Sequence, residues 1–174
     1  MKKFILVLTL AAACVFIANL FAQEFTYIGS TKCKMCYKSE KQGLQFPIWE
    51  ESKHSKSIQA LSSSDAAARA EAMGVENPTE SPKCLKCHGP LSEKAPDFKD
   101  EGVTCEVCHG PGSAYKSLSV MKSREESVAK GLTVKDTPEK KKEWCLTCHG
   151  DAHGTPFDFE ASWEKIKHIV PEKQ

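Results

Sequence analysis

Large apolar side chains are scarce in this chain. Of its 174 residues, eight are phenylalanine, three tryptophan and three tyrosine. Phe4, Phe16 and Phe21 fall in an apolar run at the N-terminus. Without that run only Phe25, Phe46, Phe98, Phe157 and Phe159 remain, too little large apolar material for an ordinary core. Small domains of this kind usually need a staple of metal, disulfide or cofactor. Convincing alternating strands are also missing, which points to helices and loops. A charge excess is missing too. Removing residues 1–22 takes away two lysines and no acid, leaving 22 basic against 23 acidic side chains. That balance argues against a general nucleic-acid binder. No repeat has a fixed period, so a solenoid is not expected.

The N-terminus is the one long apolar segment. Lys2 and Lys3 precede an apolar run from Phe4 to Phe21, and Ala22 offers a small residue for cleavage. The pattern reads as a secretory signal peptide over residues 1–22, followed by one domain over 23–174. If residues 4–22 are not cleaved, the run is long enough to serve as a membrane anchor. Cys14 in "LAAAC" invites a lipoprotein reading, but the mature chain would then begin with the apolar run Val15 to Phe21. All three readings place the remainder in the periplasm or elsewhere outside the cytoplasm.

Several segments carry helix signals. The expected helices run from Pro47 to Leu61, with His54, Ile58 and Leu61 on one face; over 62–74, capped at Ser64 or Asp65 and stopped by Gly74; and over 113–130, with Ser113 as cap. Thr137 and Pro138 open a fourth carrying Trp144 and the last cysteines, and Phe159, Trp163 and Ile166 form a face of the last. "ENPTESPKCLKCHGP" is expected to be mostly loop.

Cysteine is the residue present in excess. Apart from Cys14, the eight cysteines form four C-x-x-C pairs, and three of the pairs are followed at once by histidine: Cys84/Cys87/His88, Cys105/Cys108/His109 and Cys145/Cys148/His149. This is the attachment signature of c-type haem. The thiols form thioethers to the haem and the adjacent imidazole ligates iron. Two structural zinc ions or a disulfide framework would also use paired cysteines, but neither gives a reason for three adjacent histidines. Three haems are therefore expected. Cys33 and Cys36 are followed by Tyr37 instead. Either a fourth haem is attached there, with Tyr37 or another group at the iron, or the two cysteines are a disulfide or free thiols.

"GVTCEVCHGPGSAY", "SPKCLKCHGP", "CKMCYKSEKQG" and "WEESKHSKS" together resemble the tetrahaem cytochrome c-554 family. The resemblance covers most of the chain after residue 26. It implies a mainly α, loop-rich fold, with short helices packed around closely spaced haems. It also implies mostly bis-histidine iron, in some members with one five-coordinate haem. Where such proteins have four C-x-x-C-H motifs, this chain has three plus C-x-x-C-Y.

Six histidines are present, three of them in motifs. The others, His54, His153 and His168, are candidate distal ligands, one for each expected haem. His54 also lies where the matching family stretch carries a ligand. A straight final helix would turn His168 away from its apolar face. His153 lies only four residues past His149 and cannot easily reach across that haem. Met73 and Met121 could supply thioethers, although methionine at helical spacing is more often packing.

The sequence thus reads as a multihaem electron carrier rather than an enzyme. Its expected partners are redox proteins, a membrane quinol enzyme among the candidates. The alternative is an enzyme acting on a small nitrogen compound, such as nitric oxide or hydroxylamine, at a haem with an open iron position.

Overall fold

The computed structural model describes residues 24–150, 154, 156–168 and 170–171. The leader expected over residues 1–22 lies outside them. So does His153. Among the described residues there are ten short α-helices and no strand. They are α1 (Ser30–Tyr37), α2 (Gln45–Glu51), α3 (Ser57–Ala60), α4 (Ser64–Ala72) and α5 (Pro82–His88). After these come α6 (Cys105–His109), α7 (Leu118–Met121), α8 (Arg124–Ala129), α9 (Pro138–Leu146) and α10 (Phe159–Ile166). Two 3-10 turns, Glu40–Gln42 and Pro96–Glu101, lie in the connections. No helix among the described residues is long and apolar enough to cross a membrane.

Serine and threonine hydroxyls set many of the helix boundaries. The expected helix over 47–61 is broken in two. Ser52 turns extended after α2, its Oγ donates to the Trp49 carbonyl at 2.7 Å, and Ser55 Oγ donates to the carbonyls of Glu50 and Ser52. Such side chains offer the backbone partners that compete with the helix. His54 therefore sits in the turn between α2 and α3, not on a helix face shared with Ile58 and Leu61. The segment 113–130 is broken likewise, at Ser123, which caps α8 by accepting from Glu126 N. Ser113 caps nothing; its Oγ accepts from Thr26 N at 2.9 Å. Helix α4 is capped one residue earlier than expected, by Ser63.

Two further boundaries matter for chemistry. Pro82 opens helix α5 inside the stretch expected to be loop, because a first-turn proline loses no hydrogen bond. Helix α10 is capped by Asp158 and ends at Ile166, where Lys167 turns extended. His168 consequently leaves the helix axis instead of continuing round it.

The apolar core is small. Phe46, Leu61, Ala70, Leu91, Ala95, Val120 and Phe159 are its buried hydrophobic members. Aromatic contacts add Phe46 against Trp49 and Phe159 stacked on Trp163, with centroids 5.3 and 6.3 Å apart. Polar clamps supplement this core. Glu106 is 2% exposed, and its carboxylate accepts from the backbone N–H groups of Ile28, Gly29 and Gly112 at 2.6–3.1 Å. Glu101 accepts from Ser30 N at 2.8 Å. Together these carboxylates fix the start of α1. Gly29, at φ +79°, is required there: a Cβ would lie 2.7 Å from the Phe98 ring.

Candidate haem sites

Each cysteine pair lies on a helical turn. Residues i, i+3 and i+4 share one face of a helix, so C-x-x-C and the residue after it present two sulfurs and one ligand together. Cys33 and Cys36 are on α1, Cys84 and Cys87 on α5, and Cys105 and Cys108 make α6. Cys145 is in the last turn of α9; Cys148 follows its end, in a turn that continues as His149 N donates to Cys145 O at 2.8 Å. No disulfide joins the eight cysteines of these pairs. Among the described residues no group of three or more His, Cys, Asp and Glu is arranged to hold a metal ion by itself.

Packing brings thiols of different motifs together. Cys33 lies close enough to Cys105, and Cys87 to Cys148, for their ionisations to interact. Cys108 lies close enough to Cys145 for their charges to interact. The motifs thus neighbour one another in the order first, third, fourth, second. Burial raises the pKa of Cys87, with the Cys148 thiol second, to about 11. Burial also raises Cys108, against the opposing pull of the Lys135 cation. Lys135 Nζ donates to the Cys108 carbonyl at 2.7 Å and lies 4.2 Å from the centre of the Trp144 ring.

Two distant histidines come close to motif histidines. The rings of His109 and His168 are parallel to within 24°, with centroids 6.3 Å apart. Those of His54 and His149 are 5.9 Å apart and inclined at 61°. Two metal–imidazole bonds of about 2 Å, plus the ring radii, need a centroid separation of roughly 6 Å, a distance that both pairs meet. His149 is also stacked on Phe157 at 4.7 Å.

The surroundings of three of these imidazoles favour the neutral form, the form a metal ligand takes. Enclosure by protein lowers the pKa of His109 to about 4, with smaller contributions from His168 and Lys135. Enclosure is also the main cause for His54, with His149 second, and the stated cause for His168. His109, His149 and His168 nevertheless keep exposed surface.

Ser57 joins two of the ligand-bearing segments. Its Oγ donates to the carbonyls of His54 and His88 at 2.8 and 2.7 Å and accepts from Val103 N at 3.1 Å. Its own carbonyl accepts from His88 Nδ1–H at 2.9 Å. That bond fixes the tautomer that leaves Nε2 for a metal. Close approach is possible because residue 102 is glycine; a Cβ there would meet Ser57 Oγ and the His54 carbonyl.

Tyr37, at the end of α1, is half-buried. Its hydroxyl donates to Met121 Sδ at 3.4 Å. Burial, and then the Cys33 and Cys36 thiols, raise its pKa, so the phenol stays protonated. Tyr115 donates to the carbonyls of His109 and Gly110 nearby.

Residues 32–110, which include three of the four cysteine pairs, match the family described as cytochrome c554 and c-prime. This stretch, under half of the chain, is similar to the cytochrome c-554 family. A similar protein is the cytochrome c-554 of Nitrosomonas europaea, 26% identical over 152 residues covering 78% of this chain. The matched region spans 63% of that relative's length. No solved structure matches the chain. A short-helical, loop-rich fold without strands among the described residues is consistent with that likeness.

Each cysteine pair and the residue that follows it lie on or directly after a helical turn. Sequence reasoning missed Glu106, Glu101 and Ser57 as site-building residues, whereas Met121 was among its possible thioethers. Glu106 did stand inside the motif "CEVCHGPG", and a carboxylate between two motif cysteines was the available signal. Ser57 carried none, being one serine in "KHSKS".

Proposed function

We propose that this chain carries four covalent haems c and relays electrons between redox proteins outside the cytoplasm. The observation that carries this reading is the pair of opposed imidazoles, His109 with His168 and His54 with His149, each beside a C-x-x-C turn. Cys105 and Cys108 hold one haem between His109 and His168. Cys145 and Cys148 hold another between His149 and His54. Cys84 and Cys87 hold a third on His88, and Cys33 and Cys36 hold the fourth. His153 remains the candidate for a further distal position.

Haem supplies reversible Fe(III)/Fe(II) cycling when bound. The protein's share is to attach, orient and space the groups. Two imidazoles at one iron would saturate it, disfavour substrate binding and keep its potential low. The adjacency of thiols from different motifs supports short hops in the order first, third, fourth, second. Redox proteins, a membrane quinol enzyme among them, are the proposed partners, and the periplasm the proposed compartment.

A second reading rests on Tyr37. A site without an imidazole after its cysteines could leave an iron position open for a small nitrogen compound such as nitric oxide or hydroxylamine. Intact mass and electron paramagnetic resonance of protein from a strain that matures c-type cytochromes test both readings. Four haem masses with only low-spin iron are expected of the carrier. A high-spin centre that shifts on adding nitric oxide supports the enzyme, and colourless protein retaining no haem after acid–acetone extraction overturns both.

A further inference from the structure

The first site needs an iron ligand other than the motif imidazole. His168 and His54 are already opposed to His109 and His149. At the corresponding point Tyr37 meets sulfur, not nitrogen: its hydroxyl donates to Met121 Sδ at 3.4 Å. That separation leaves no room for an ion between the two atoms. Tyr37 and Met121 are therefore not a sandwich but a donor and its acceptor.

Met121 is well placed to be a ligand. Met35 and Met73 are 78% and 53% exposed, whereas Met121 is half-buried. It ends α7, which packs on α8. The buried Ser127 hydroxyl locks the two helices together by donating to the carbonyls of Val120 and Ser123 at 3.1 and 2.9 Å. A ligand on a locked support can hold its position. A thioether sulfur is a weak acceptor with a second lone pair, so accepting from Tyr37 leaves it able to bind a soft metal centre. Methionine is an established type of haem ligand, and it raises the potential relative to imidazole.

We propose that Met121 ligates the iron of the haem held by Cys33 and Cys36, with Tyr37 as the positioning residue that orients its sulfur. The proposal rests on the fourth-haem reading above. It makes the first site the highest-potential one. Since Cys33 adjoins Cys105, that site is also one end of the row of motifs.

Holoprotein of the wild type, Met121→Leu, Met121→His and Tyr37→Phe tests this by intact mass, visible and near-infrared absorption, and redox titration. The expected wild type has four haem masses, one sulfur-to-iron charge-transfer band and one centre titrating above the rest. Met121→Leu should keep all four masses, lose the band and gain one high-spin, carbon monoxide-binding iron. Met121→His should lose the band, stay low-spin and bring the highest potential down to the others. Tyr37→Phe should keep the band but shift its position and that one potential. Four masses with no such band, or with a band that Met121→Leu leaves unchanged, overturn the ligand assignment alone. Three masses overturn the fourth-haem reading and this assignment with it.

Discussion

The first cysteine pair and the other three share a spacing and a helical turn, yet they are held by different means. Around Cys105 and Cys145 the adjacent imidazoles face His168 and His54, drawn from far along the chain. Around Cys84, Ser57 ties His88 to the turn that carries His54. Around Cys33 no imidazole follows the thiols. Buried Glu106 and Glu101 instead grip the backbone at the start of α1, and Tyr37 bonds to Met121 at its end. The presentation of two thiols is thus a property of one helical turn, independent of what meets the iron. What meets the iron is a separate choice, made by residues elsewhere.

The largest effect expected from breaking this comparison is loss of the fold. The third pair is central, with neighbours in both the first and the fourth motifs, whereas the first pair is terminal. Replacing Cys105 and Cys108 by alanine should remove one haem mass and abolish cooperative thermal unfolding, since the buried apolar side chains are too few to fold the chain alone. Replacing Cys33 and Cys36 should also remove one haem mass but leave a cooperative, lower-temperature transition. Circular dichroism during heating distinguishes them, and identical melts would erase the distinction between centre and end.

Next in size is a change of spin state without loss of haem. His54→Ala and His168→Ala should each convert one low-spin centre to a high-spin, carbon monoxide-binding one, and the double variant two. Paramagnetic spectra that stay wholly low-spin would mean that the opposed rings do not share iron.

Glu106→Ala acts on the grip that the third motif keeps on the first. It strands backbone donors of Ile28, Gly29 and Gly112 and should cost about 3 kcal/mol in denaturant unfolding of the holoprotein, with haem number unchanged. A loss below about 1 kcal/mol would show that water replaces the carboxylate.

The smallest effect concerns the surface of the same region. Lys34 and Glu50 join α1 to α2 at 3.5 Å, but their side chains are 48% and 56% exposed. Glu50→Ala should change stability by under about 1 kcal/mol and vanish into the error at high salt. A larger loss would give this ion pair a weight in holding the first site that its exposure does not suggest.

Much of the site was legible because its grammar is local. Cysteine spacing and the following histidine report a single helical turn, and Thr137–Pro138 and Gly74 likewise announced a helix start and stop that the structure contains. Errors arose where side chains compete with backbone. The serines at 52, 55 and 123 broke helices that periodicity alone would have continued, and Pro82 began one where prolines suggested loop. His54 was singled out for a shared helix face, and that face does not exist. Its place opposite His149 depends on the break that removed it.

The sequence by itself determined the four thiol turns, the three adjacent imidazoles, the helical class and the shortage of apolar core, because each depends on composition or on neighbours within four residues. Only the tertiary structure decided that His168 meets His109, that His54 meets His149, that Ser57 binds two ligand segments and that Tyr37 finds Met121. Such pairings join residues remote in sequence, and no local pattern encodes them: they follow from where α10 ends, where serine hydroxyls break helices, and where glycines at 29 and 102 let backbones approach.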